Sequence, residues 1–339
     1  IRQDVDKNGE KSLKLSLPTS IVKPYPMDLA VVQLFGTSSA AADYDFKNLM
    51  VPFFCVAADI TNKKPYVATK GDLGSAVRAS MTFPAYFKPI TIDSLLLFDG
   101  GFYNNFPWEL MEEIYTPDFI IGSKCVKGEA MDPDDDDPIG MLEMMITTDT
   151  DYNIPEDNGV VIAGEYNAGL MDFHKVDEIV EQGYQKALEF IPELKERIGR
   201  EISADELSDK RLSFRKRCPE LKFKDIVIEG DLSEDEKEYI DHTISDGRDT
   251  FTFIQGKRGY YKVAASNTVN TFYPTSRFDK SDSLFTLYIQ TTKKMGVTLE
   301  VGGNISTSSL MQGYIGGYYR SMGKHPSFAS LGLNIGQYY

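Results

Sequence analysis

The segment "SLLLFDGGFYNNFP", Ser94 to Pro107, runs an apolar stretch, Leu95 to Phe98, straight into one carboxylate, Asp99, and a Gly-Gly pair. The apolar stretch has strand length. In an open α/β sheet, catalytic groups collect at the carboxyl ends of strands, where loops are free to vary. Gly100 and Gly101 let the backbone turn and keep side chains out of the way. A carboxylate there can accept a proton from a serine hydroxyl, and partial burial would raise its basicity. The plain alternative is a D-G-G turn with no chemistry, and the short motif alone does not separate the two.

Outward from this segment, short β-rich runs alternate with helical patterns as far as about Arg200, the mark of an α/β layer fold. Leu29 to Phe35, Phe53 to Asp59, Leu95 to Phe98 and Phe119 to Gly122 read as buried strands. "GDLGSAVRASMTFP" reads as a turn and a short helix that Pro84 terminates. Val176, Ile179, Val180, Tyr184, Ala187, Leu188 and Ile191 recur at helical steps and predict an amphipathic helix. "MDPDDDDP", Met131 to Pro138, lacks the spaced acids and bend glycine of a calcium loop, so it reads as a solvated loop.

Bulk properties narrow the function. The formal charge of −15 argues against a nucleic-acid binder. Cys55, Cys125 and Cys218 match no zinc or redox spacing, and His174, His242 and His325 form no ligand pair, so no metal or cofactor is expected. No apolar run reaches the roughly 18 residues that a membrane-spanning helix needs.

Two further regimes follow. From about Leu221 to Lys294 the order is β-α-α-β-β: "FKDIVIEG" alternates as a strand, and "SEDEKEYIDHTISD" opens a helix on a Ser cap with acids in its first turn. "QGKRGYYKVAASN" is a second helix and "FTLYIQTTKK" a strand of period two. The charge-rich "EISADELSDKRLSFRKRCPE" before it is a linker or a bridging helix. After Lys294, "GVTLEVGGNISTSS", "QGYIGGYYRS" and "SFASLGLNIGQYY" are alternating segments rich in Gly, Tyr, Ser and Asn. They fit either outer-membrane barrel strands or a soluble meander, and three strands cannot close a barrel, which needs about eight.

Ala76 to Leu110, "AVRASMTFPAYFKPITIDSLLLFDGGFYNNFPWEL", resembles the patatin-like phospholipase family, with "VPFFCVAADI" upstream similar to the strand before that motif. The resemblance implies a three-layer α/β/α domain, here incomplete, and a lipid acyl hydrolase working through a Ser–Asp dyad. Asp99 then falls at the base, and Arg78, Ser80, Pro84, Gly100, Gly101 and Asn104 fall at positions that shape the site. A carboxylate base within reach of the serine needs no imidazole relay. The β-α-α-β-β segment resembles a POTRA module, and the tail looks like the first strands of an outer-membrane barrel. This order of parts resembles bacterial outer-membrane patatin proteins. It implies a patatin-like domain at 1–200, a linker at 201–220, a POTRA-like module at 221–294 and barrel strands at 295–339. It also implies a phospholipid or other acyl-ester substrate and a place at the bacterial outer membrane, periplasmic or surface-exposed.

One departure matters. The family's "G-x-S-x-G" nucleophile and glycine-rich oxyanion loop do not occur in residues 1–339. "LAVVQLFGTSSAAA" mimics a strand–elbow–helix with Ser38 as nucleophile, but Ala40 replaces the closing glycine and Ser38 stands too near Asp99 in sequence. The expectation is therefore an inactive fragment whose nucleophile lies upstream. Two alternatives compete: a non-catalytic assembly or surface protein on a degenerate patatin platform, and a soluble esterase using Ser38.

Overall fold

The structure, a computed structural model, describes residues 2–5, 11–14, 20–125, 150–164, 172–294, 296–304, 312–324 and 326–336. The acidic run at 131–138 lies outside them. A short antiparallel pair, β1 (Arg2–Val5) and β2 (Lys11–Lys14), precedes α1 (Tyr25–Ala41). Leu29 to Phe35, expected as a strand, is therefore helical. Pro26 sits in the first turn, where its missing N–H costs nothing. Leu29, Val32, Gly36 and Ala40 are buried at three- and four-residue steps, while Leu34 is exposed. Asp28 and Val31 are buried as well, so the helix is covered on more than one side and its apolar run lacks the polar interruptions that reveal a helix.

The first sheet is antiparallel, in the order β4 (Lys64–Ala68), β3 (Cys55–Asp59), β6 (Leu95–Asp99), β5 (Ile90–Ile92). The β5–β6 hairpin turns on Asp93 and Ser94, both with positive φ, the two-residue geometry that matches strand twist. Against the sheet lies α2 (Leu73–Ser80), capped by Asp72, which accepts from both the backbone N–H and the hydroxyl of Ser75 at 2.7 Å. The helix ends at Ser80, ahead of Pro84. Next come α3 (Trp108–Tyr115) and the parallel pair β7 (Ile120–Lys124) and β8 (Gly159–Ala163). Helix α4 (Val176–Ile198) is amphipathic as predicted, yet Val180, Tyr184 and Leu188 on its apolar stripe are exposed among the described residues. Residues 204–217, expected as a linker or bridging helix, form α5 (Ala204–Arg217).

The β-α-α-β-β order is present: β9 (Lys222–Glu229), α6 (Glu234–Ser245), α7 (Phe253–Ala265), β11 (Val269–Asp279) and β12 (Leu284–Lys293), with a short β10 (Phe251–Thr252) before α7. The sheet order is β10-β9-β12-β11, with β12 parallel to β9 and antiparallel to β11. Ser233 and Glu236 form a reciprocal capping box on α6, and Thr252 and Gln255 form another on α7. A Cβ on Gly259 would lie 2.0 Å from the carbonyl of Thr243, so α6 and α7 cross at a distance only glycine permits. Phe223, Phe251, Phe272, Phe285, Ile240 and Ile289 fill the core beneath, and Leu29, Val32 and Ala40 of α1 join the same cluster. Tyr273 of β11 reaches the other way, into the cluster of Ala57, Ala79, Ile90 and Leu97 under the first sheet.

The tail is an antiparallel meander of β13 (Val297–Asn304), β14 (Gln312–Ser321) and β15 (Ser327–Gly336). Its register puts Val297, Leu299, Val301, Ile315, Tyr319, Leu331, Leu333 and Ile335 on one face, all of them exposed. Glu300, Tyr314, Tyr318, Ser330 and Asn334 share the other face.

Candidate active site around Asp99

Strand β6 delivers Asp99 to its carboxyl end, opposite Ala57 of β3. The Asp99 backbone N–H donates to the carbonyl of Thr82 at 3.0 Å, which ties the strand end to the turn after α2. The chain then enters a short 3-10 turn, Gly100–Phe102, that Asp99 caps: its Oδ1 accepts from the Gly101 N–H at 2.9 Å. That N–H is the side chain's described partner, and Oδ2 has none among the described residues. The carboxyl is half-buried. Burial pushes its pKa above the ordinary carboxylate value, and the Gly101 N–H pulls weakly the other way. A carboxylate in that state is a better proton acceptor than one in water.

The glycines serve close approach. A Cβ on Gly100 would lie 2.3 Å from the Val56 carbonyl oxygen, a clash with backbone. On Gly101 it would lie 3.0 Å from Asn105 Oδ1 and 3.2 Å from Asp99 Oδ1, crowding the acid itself.

Arg78 has no exposed surface. Its Nε pairs with Asp28 Oδ1 at 2.8 Å, Nη1 donates to Thr82 Oγ1, Nη2 donates to the Lys88 carbonyl at 3.3 Å, and the guanidinium lies 5.3 Å from the Phe87 ring centre. Burial pushes the Asp28 carboxyl up to about 6 against the pull of Arg78. Arg78 thus reaches no substrate. It fixes Thr82, whose carbonyl holds the Asp99 backbone. Asp28 and Thr82 were not singled out in the sequence; the one clue was that a buried arginine requires an acid. Ser80 ends α2 half-buried, Pro84 lies half-buried in the following turn, and the Asn104 N–H donates to the Gly100 carbonyl at 2.9 Å.

Ser38 lies within α1, not on a strand-to-helix elbow, and its hydroxyl faces the Cys218 thiol. The structure does not bond it to Asp99. Among the described residues no group of His, Cys, Asp and Glu could hold a metal ion, and no helix is long and apolar enough to cross a membrane. Cavities of about 750 Å³ (beside Lys124, Tyr152 and Arg197) and about 570 Å³ (between α6 and α7) lie elsewhere, and Asp99 is in the wall of neither.

Residues 38–111 match the model of the patatin-like phospholipase family. The chain is 39% identical over 72 residues to patatin-like phospholipase domain-containing protein 7 of Mus musculus. It is 35% identical over 74 residues to neuropathy target esterase sws of Drosophila melanogaster, and 27% over 95 residues to lysophospholipase NTE1 of Candida albicans. These stretches cover 21%, 21% and 28% of this chain and only 5%, 5% and 6% of those proteins. The family match falls on the segment that carries α2, β3, β6 and Asp99.

Proposed function

We propose that Asp99 is the base of a Ser–Asp dyad in a patatin-like lipid acyl hydrolase, with the serine and oxyanion donors supplied by a segment outside residues 1–339. The observation that carries this reading is Asp99 itself, half-buried at a strand end with one oxygen engaged and the other open. In the reaction, Asp99 Oδ2 takes the serine proton as Oγ attacks the acyl carbonyl. The proton passes to the departing alcohol; in the second half Asp99 takes a proton from the water that attacks the acyl-serine and returns it to serine Oγ as that ester bond breaks and the fatty acid leaves. No step needs a metal. Residues 1–339 alone are then inactive.

On this reading the β-α-α-β-β unit serves as a POTRA-like module, β13–β15 open an outer-membrane barrel, and the protein belongs to a bacterial outer membrane. Support comes from the exposed, predominantly apolar face of the meander, which Ser321 and Ser327 close at one end, such as barrels turn to lipid. Strands of 10 residues, as in β14 and β15, suit a tilted membrane crossing.

A second reading, a non-catalytic assembly platform, draws on the missing "G-x-S-x-G" and on the position of both large cavities away from Asp99. The gene sequence upstream separates the two: a glycine-rich loop followed by "G-x-S-x-G" favours the hydrolase, and neither favours the platform. Ester hydrolysis by residues 1–339 that Ser38→Ala abolishes would overturn the proposed dyad.

A further inference from the structure

The turn after β6 brings a second side-chain oxygen back to Asp99. The point where a Cβ of Gly101 would stand lies 3.0 Å from Asn105 Oδ1 and 3.2 Å from Asp99 Oδ1. An amide oxygen and a carboxylate oxygen thus flank one notch, over a residue that has no side chain to fill it. Asp99 Oδ1 accepts from the Gly101 N–H and keeps a second lone pair, and Asp99 Oδ2 has both of its own. Asn105 Oδ1 has no donor among the described residues.

The amide is held from its other end. Asn105 Nδ2 donates to the Tyr152 hydroxyl at 3.1 Å, across 47 residues of sequence, and this bond points Oδ1 toward Gly101. Tyr152 is fixed in turn: its ring centre lies 5.1 Å from that of Phe106, and the Lys124 ammonium, at the end of β7, stands 4.3 Å from it. Asn105 itself is exposed and belongs to none of the hydrophobic cores, so packing does not account for a side chain pinned in this way.

Release of an acyl group from serine needs a water with one O–H on the base, the other on a second acceptor, and a lone pair left for the acyl carbon. A second acceptor beside the base meets that need. A donor in its place would compete for the lone pair.

We propose that Asn105 positions the water of deacylation, which donates one hydrogen to the Asp99 carboxylate and the other to Asn105 Oδ1. As the water oxygen bonds the acyl carbon, the first proton passes to Asp99 and on to serine Oγ, whose bond to that carbon breaks. The second hydrogen leaves with the fatty acid. Attack by serine uses no water, so Asn105 serves the second half of the reaction. The proposal rests on the reading of Asp99 as the base of a Ser–Asp dyad.

The test uses the full-length gene product and a nitrophenyl ester. Nitrophenolate release in a single turnover reads acylation, and decay of the acyl-enzyme, followed by mass spectrometry, reads deacylation. Asn105→Ala should keep the first rate within about twofold and slow the second about tenfold. Tyr152→Phe keeps the ring and loses the hydroxyl that holds the amide. It should slow the same step about threefold, and it carries the test if Asn105→Ala does not fold. Decay at the parent rate in both variants, or acylation slowed as much as decay, overturns the role of Asn105 and leaves the dyad standing. A parent that forms no acyl-enzyme, or acylation that survives Asp99→Asn, sinks the dyad reading and the proposal with it.

Discussion

The phenol of Tyr273 donates to Ser75 Oγ at 3.0 Å, and this bond joins strand β11 of the β-α-α-β-β unit to helix α2 beside the first sheet. Ser75 in turn donates to Asp72, the cap of that helix. With α1 packed into the second core, the two parts share interior rather than touching as beads on a string.

Cooperative unfolding follows. Trp108, the single tryptophan, reports on the first part, and far-ultraviolet circular dichroism reports on both. The two signals should trace one thermal transition. Tyr273→Phe should cost about 1–3 kcal/mol by leaving Ser75 short of a donor, and Tyr273→Ala about 3–5 kcal/mol. Two separated transitions would contradict the shared interior.

The buried Asp28–Arg78 pair predicts both a magnitude and a sign. Asp28→Asn or Arg78→Met leaves one charge stranded and should cost about 3–5 kcal/mol. Arg78→Lys should not rescue, because one ammonium cannot reach Asp28, Thr82 and the Lys88 carbonyl together. The Asp28 carboxyl, at about 6 in the fold, lies above its unfolded value of about 4. The folded state then holds more protons between these values, so this group's contribution to stability is greatest below about pH 4 and is lost as the pH rises through about 6. Urea titrations across that window should show the parent losing more stability than Asp28→Asn. The opposite slope would mean that Arg78 dominates burial.

Gly100 and Gly101 should respond differently to alanine. At Gly100 the new methyl meets the Val56 carbonyl, and backbone has to move, at a cost of about 1–3 kcal/mol. At Gly101 the nearest atom is the tip of the Asn105 side chain, which can swing aside, so a change below about 0.5 kcal/mol is expected. Equal urea midpoints for the two variants would contradict the close-approach account.

Where hydrolysis is measured, kcat/KM should rise with pH as Asp99 loses its proton, with a midpoint above the ordinary carboxylate value of about 4. An inflection near 6.5 that disappears on replacing His174, His242 or His325 would point to an imidazole base instead.

What could be read from sequence was what local pattern encodes. The run Leu95–Phe98 became β6 with Asp99 added, and Phe119–Gly122 became β7, which starts one residue later and runs two residues further, to Lys124. Ser233 capped its helix with Glu236 three residues on, because that signal spans a single turn. Leu29–Phe35 misled because burial on more than one side erases the periodicity that separates helix from strand. Partners distant in sequence left no trace: Asp28 lies 50 residues from Arg78, and Ser75 lies 198 from Tyr273. The Gly-Gly pair was legible as a turn. Its physical reason, the Val56 carbonyl, was not.

Acyl-ester hydrolysis by the full-length gene product, parent against Asp99→Asn, tests the role of Asp99 most directly. The expected result is a fall in kcat of about 10²–10⁴-fold with KM little changed and with the variant's melting temperature near that of the parent. An Asp99→Asn protein that hydrolyses as fast as the parent, or a parent that hydrolyses no ester, would contradict it.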